Sequence, residues 1–272
     1  MTCAWKELLS ILPLWLRQKV DRMDNLQELR LRRGRPVEWI SGRGFGVLDR
    51  EVQEEDLRFC VNTASRYSPW TASTIAKGYL TAPGGHRIGL CGEVACRDGK
   101  IQTIREVHSL NIRVARDFPG IAKPISIIGS VLIIGPPGWG KTTLLRDLAR
   151  EIARRETVSV VDERGELFPQ GFARGDRMDV MLGCPKAAGM EMVLRSMGPA
   201  WIALDEITSQ EDTAALIQCV GCGVRLLATV HASSVTDLRS RPVYKPILDN
   251  RVFQTIVVMN RDKTFYTERM NL

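Results

Sequence analysis

Two kinds of apolar pattern divide this chain. Up to about residue 122, apolar positions either alternate with polar ones or recur at helical spacing; beyond it, short unbroken apolar runs alternate with helical stretches. Residues 5–23 carry helical spacing interrupted at Pro13. Leu26 to Arg35 alternates Leu29 and Leu31 with Glu28, Arg30 and Arg32, a half-buried strand that ends in a Gly turn, and Pro36 to Ile40 continues extended. Gln53 to Tyr67 puts Leu57, Cys60, Val61 and Ala64 on one helical face and stops before Pro69; a further short helix is expected over Thr71 to Lys77. From Tyr79 the pattern turns to strand. Gly84-Gly85 and Asp98-Gly99 are hairpin signals, His86 to Leu90 lies between them, and Leu110, Ile112 and Val114 then alternate with Asn111, Arg113 and Ala115. The expectation is an α+β domain over residues 1–122, with Phe118-Pro119-Gly120 opening a linker.

From Ile125 the alternation of strand and helix is that of an α/β domain with a mostly parallel sheet, expected over residues 123–272. Its apolar runs are Val131 to Ile134, Val158 to Val161, Trp201 to Leu204 and Val224 to Val230, with Val252 to Val258 and Thr264 to Glu268 as closing strands. Helices are expected from the loop after Ile134 to about Arg155, from Ala187 to Met197 and from Glu211 to Val220. The Gly- and charge-rich segment from Phe168 to Pro185 reads as loop.

The chemistry sits where the apolar runs end. Gly135 to Thr142 (GPPGWGKT) fit G-x-x-x-x-G-K-[ST], between a β-branched strand and a helix. Glycines let successive backbone N–H groups turn inward, and the following helix adds the positive end of its dipole, so Gly135, Pro136, Pro137, Gly138, Trp139, Gly140, Lys141, Thr142 and Thr143 form the expected cradle for a nucleoside triphosphate, with no base-reading motif to separate ATP from GTP. Lys141 can reach the β- and γ-phosphates and the Thr142 hydroxyl can ligate Mg²⁺. About sixty residues on, four apolar residues lead into Asp205-Glu206; Asp205 at a strand end suits the metal shell and Glu206 suits the attacking water. His231 ends another such strand. Ligands of open parallel sheets bind at those carboxyl ends, which favours a γ-phosphate-sensing or water-orienting role over a structural one.

Composition changes this picture little. At 272 residues, 44% hydrophobic and 25% charged, the chain reads as a soluble globular protein. No signal peptide is read, and the apolar stretch near Leu8 to Leu16 is broken by Ser10 and Pro13, so the expected location is cytoplasmic, with a peripheral membrane contact left open. Residues 1–122 carry 19 Lys/Arg against 14 Asp/Glu, +5 of the total +7, which suits nucleic acid, anionic lipid, an acidic partner or a nucleotide bound elsewhere. Against nucleic acid, no helix-turn-helix, zinc finger or aromatic-rich RNA motif is present. Seven cysteines form no metal framework, and Cys219-Val-Gly-Cys222 reads as small buried residues.

On the motifs at Gly135–Thr142, Asp162-Glu163…Glu166, Asp205-Glu206 and Thr229-Val230-His231-Ala232, with Leu194 to Pro199 before the Asp-Glu pair, the carboxyl half resembles the RecA-type secretion ATPases of type II and type IV systems. It departs from them in carrying Asp205 where many have Gly. The segments Glu28–Arg32, Pro83–Leu90, Ser109–Arg116 and Arg241–Pro246 extend the resemblance over nearly the whole chain, to the stage III AA family of sporulation proteins of endospore-forming bacteria. The resemblance implies a Mg²⁺-dependent ATPase on the mother-cell side of a channel to the forespore. It implies a homohexamer working with membrane proteins of that complex, Asp162 or Glu163 assisting Glu206, and an arginine from the amino-terminal domain, Arg113 and Arg116 first and then Arg87, completing the site. Two other readings stand beside it: a nucleic-acid-translocating ATPase, and a nucleotide-gated scaffold with little turnover.

Overall fold

The computed structural model describes residues 4–21, 23, 25–65, 75–169 and 172–270. The chain divides into two compact units, Met1–Asp117 with Pro169–Phe172, and Phe118–Phe168 with Ala173–Leu272.

Among the described residues of the first unit, β1 (Leu26–Arg32), β2 (Pro36–Ser41), β3 (Gly44–Glu51), β4 (Tyr79–Thr81), β5 (Arg87–Arg97) and β6 (Lys100–Arg113) form one antiparallel sheet in the order β3-β2-β1-β6-β5-β4. Alternation decides its two faces. Leu29, Leu31, Ile88, Leu110 and Ile112 are buried against Leu8, Leu16 and Leu57 from the helices Trp5–Ser10, Leu14–Val20 and Glu54–Ser65. Arg30 and Arg32 point the other way and pair with Glu28 and Glu38. The β5–β6 hairpin is longer than the sequence pattern suggests, and Arg97 pairs with Lys100 across Asp98 (φ +52°) and Gly99 (φ +72°), two positive φ values that suit a two-residue turn. β3 was not anticipated. The helix expected over Thr71–Lys77 falls largely outside the described residues, as does the end of the one expected to reach Tyr67.

His86 is fully buried in this unit. Its Nε2 lies 2.8 Å from the Ala4 carbonyl oxygen and its Nδ1 accepts from the Ala115 amide at 3.1 Å, which requires a neutral ring with its proton on Nε2. Burial holds its pKa below the ordinary histidine value.

In the second unit β7 (Val131–Ile134), β8 (Val158–Asp162), β9 (Met178–Leu182), β10 (Trp201–Leu204), β11 (Arg225–Val230), β12 (Thr255–Met259) and β13 (Phe265–Arg269) follow the order β13-β12-β7-β11-β10-β8-β9, parallel except for β13. Both faces are covered, so consecutive residues enter different cores: Leu132 and Ile134 pack with Leu204 and Leu216, whereas Val131 and Ile133 pack with Leu145 and Leu148. That is why these strands read as unbroken apolar runs. Two expectations need correcting. The segment Phe168–Pro185 is not all loop, because Met178–Leu182 adds β9 to the sheet edge, in register with Val158–Asp162. Cys222 is exposed, so only Cys219 of that pair is a buried small residue; burial pushes the Cys219 thiol up to about 11. Two short helices, Val235–Ser240 and Lys245–Asp249, were also unanticipated.

Candidate functional site

β7 runs straight into the glycine loop. Gly138 (φ +78°) and Gly140 (φ +96°) hold backbone conformations that L side chains rarely adopt, and a Cβ at Gly135 would stand 2.9 Å from that of Met259. The helix Lys141–Ile152 starts at Gly140 with no side-chain cap on its first amides. Glycines at positive φ followed by an uncapped helix start are the geometry that suits an anionic phosphate, so the residues fit a triphosphate tail. A cavity of about 550 Å³ opens there. The loop, Lys141 to Leu144, Glu206, His231 and Lys263 line it, and Phe118, Ile121, Met259 and Phe265 give it an apolar wall. Sequence reasoning missed that wall, whose members come from distant segments.

The strand tips meet in one hydrogen-bonded network. Thr142 Oγ1 donates to Asp205 Oδ2 at 2.6 Å, and Thr229 Oγ1 donates to Asp205 Oδ1. The Glu206 amide donates to Thr229 Oγ1 at 2.8 Å, which helps hold Glu206 at φ +53°. Lys141 Nζ lies 3.0 Å from the Pro136 carbonyl and 2.9 Å from His231 Nδ1. An ammonium only donates, so His231 Nδ1 accepts and its Nε2–H donates to Glu206 Oε1 at 2.8 Å. Burial lowers the Lys141 pKa, with Asp205 and Glu206 opposing the shift. Burial would raise the Glu206 carboxyl, but Arg164, His231 and Lys141 together hold it below its ordinary value. The Thr142 hydroxyl and Asp205 carboxylate are hard oxygen donors, and their shared hydrogen bond shows that they come close enough to serve one Mg²⁺.

Asp162 and Glu163 have other partners. Asp162 Oδ1 accepts the Glu166 amide at 3.0 Å and Oδ2 accepts those of Leu167 and Phe168 at 2.8 and 3.2 Å, so this carboxylate organises the loop after β8. Burial still raises its pKa. Glu163 Oε2 lies 2.6 Å from the Nζ of the buried Lys186, at the start of the helix Lys186–Ser196. The next residue is Arg164, whose Nη1 is 3.0 Å from Glu206 Oε2. Nothing in the chain's local pattern singled it out beyond a positive charge inside the acidic run Asp162–Glu166.

Arg113 and Arg116 belong to the other unit. Arg113 ends β6, in register with Glu28 and Arg87, and Arg116 Nη2 donates to the Asn25 and Leu26 carbonyls. Elsewhere in that unit Glu93, Glu106 and His108 bring ligand atoms within 4.8 Å of one another, but Arg33 pairs with Glu106 there. No helix among the described residues is long and apolar enough to cross a membrane.

Known proteins agree with this architecture. Solved structures with the same fold include the Legionella pneumophila ATPase DotB, at TM-score 0.59 and 16% identity over 90% of this chain and 76% of that one. The pilus retraction motor PilT with bound ADP aligns at TM-score 0.63 and 14% identity over 93% and 77%. The second unit thus has the RecA-like fold of secretion ATPases. In sequence, the chain is 37% identical to stage III sporulation protein AA of Bacillus subtilis, across 94% of this chain and 91% of that protein. It is 30% identical to SEEDLING PLASTID DEVELOPMENT 1 of Arabidopsis thaliana over 86% of its own length, but spans 34% of that larger protein. The family described as "Sporulation stage III, protein AA" matches residues 6–268, and the chain belongs to it.

Proposed function

We propose that this protein is an ATPase that energises a secretion-like channel complex between mother cell and forespore, working as a homohexamer with membrane proteins of that complex from the mother-cell cytoplasm. The observation that supports hydrolysis is the continuous link from the glycine loop to a paired acid: Lys141 to His231 to Glu206, and Thr142 to Asp205. Lys141 and the loop amides hold the β- and γ-phosphates. Thr142 and Asp205 would hold Mg²⁺, which supplies charge neutralisation on the phosphate oxygens when bound. Glu206 orients a water and takes its proton, and His231 steers the Glu206 carboxylate while sensing whether Lys141 is engaged. Asp162 holds the neighbouring loop in shape and Glu163 anchors it to Lys186. Arg113 or Arg116 adds a positive charge from the amino-terminal unit of the same or a neighbouring subunit, a contribution of about 10³–10⁵ in rate where such an arginine operates.

Turnover of Mg·ATP by the full chain tests the reading. Lys141→Ala should abolish it, and Glu206→Gln should cut it by about 10²–10⁴. Wild-type turnover in Arg113→Ala removes Arg113 from the site. A nucleotide-gated scaffold is the second reading, favoured by the pairing of both Glu206 oxygens; triphosphate binding without turnover in the unmodified chain would select it. Light scattering with and without Mg·ATP reports the oligomer.

A further inference from the structure

Glu206 poses an electrostatic problem. Its carboxylate lines the same cavity as Lys141 and the glycine loop, so an incoming γ-phosphate would meet a negative charge. Without phosphate, the same carboxylate has a strong cation nearby in Lys141, with only the His231 ring between them. A direct Glu206–Lys141 pair would take the lysine away from its ligand.

Arg164 answers both difficulties. Its guanidinium lies 3.0 Å from Glu206 Oε2 while His231 takes Oε1, so the carboxylate is drawn in two directions. Arg164 shares a second, narrow crevice with Asp162, Asp205 and Glu206, and it is not among the residues lining the phosphate cavity. It therefore reaches Glu206 without occupying the phosphate seat. Its loop is well fixed: three backbone amides converge on Asp162, and Glu163 on one side of Arg164 is pinned by Lys186. Glu206 is also held by its main chain, through Thr229, which leaves the carboxylate end as the part an ion pair can govern.

We propose that Arg164 is a positioning residue, the counter-charge that keeps Glu206 off Lys141 and makes the cavity acceptable to a triphosphate. The proposal rests on the nucleotide reading of the site and adds a residue that acts on γ-phosphate affinity through Glu206. It separates Arg164 from a structural residue, because its effect must depend on the γ-phosphate and vanish once Glu206 loses its charge.

The test is calorimetric binding of Mg·AMP-PNP and Mg·ADP to the full chain. Arg164→Gln should weaken AMP-PNP about tenfold and ADP much less. Arg164→Glu, a second variant, should weaken AMP-PNP further, and Arg164→Lys should restore affinity to within about threefold by keeping the charge. In the Glu206→Gln background, adding Arg164→Gln should change nothing, the signature of action through one partner. Unchanged AMP-PNP affinity in Arg164→Gln, an equal loss for ADP, or a loss that persists beside Glu206→Gln overturns the proposal and leaves the nucleotide reading intact. Failure of the unmodified chain to bind either nucleotide overturns both.

Discussion

The two units solve the same burial problem with opposite sheets, and their polar residues end up in different places as a result. The antiparallel sheet of the first unit buries Leu29, Leu31, Leu110 and Ile112 on one face and leaves Arg30 and Arg32 on the other, paired with acids in water. The parallel sheet of the second unit is packed on both faces, so polar side chains fit it poorly except at strand ends. Asp162, Asp205, Thr229 and His231 stand at or just beyond such ends. Charge on an open face is dispersed and solvated. Charge at the ends of parallel strands converges, and convergence is what a reaction needs.

Strand-tip residues should carry chemistry with little effect on stability. Glu206→Gln should cost about 10²–10⁴ in turnover, roughly 3–5 kcal/mol of barrier, while the thermal midpoint stays near that of the unmodified chain. A fall in the midpoint as large as a core substitution produces would sink the separation of chemistry from stability. In the middle of the same sheet the order should reverse. Ile202 is fully buried in β10, and Ile202→Ala should remove about 2–5 kcal/mol of unfolding free energy in denaturant titration.

Smaller effects are expected in the first unit. His86→Ala leaves the Ala4 carbonyl and the Ala115 amide without the imidazole and should cost about 1–3 kcal/mol. Because the folded pKa of His86 lies below its unfolded value near 6.5, the unfolded chain binds the proton more readily. The contribution of His86 is therefore complete above about pH 6.5 and shrinks as pH falls toward the lowered folded value. Urea midpoints of wild type and His86→Gln should converge across that window, and parallel curves would refute it. The smallest effect belongs to the open face: Arg32→Ala breaks a half-exposed pair with Glu38 and should change stability by less than about 0.5 kcal/mol.

The strands that sequence pattern found and missed follow the same division. Val131–Ile134 and Trp201–Leu204 were legible because a strand buried on both sides must be apolar throughout. β3 and β9 were not, and each lies at one edge of its sheet. Edge strands are half in water, their composition is mixed, and pairing with a neighbour makes them strands. The acidic run after β8 was legible as a site but not in its parts. Its first carboxylate turned into its own loop, and the cation within it found Glu206, 42 positions along the chain.

What the amino-acid order determined alone was local: a β-branched run ending in glycines, a helix after them, and acids and a histidine closing later apolar runs, since each is imposed by backbone geometry or the period of burial. Only the tertiary structure decided which tips touch. The strand order β7-β11-β10-β8 brings Lys141, His231, Glu206 and Arg164 into one chain of contacts from four separate segments. Such partnerships depend on distances across a sheet, about 4.8 Å per strand, and no spacing along the chain encodes them.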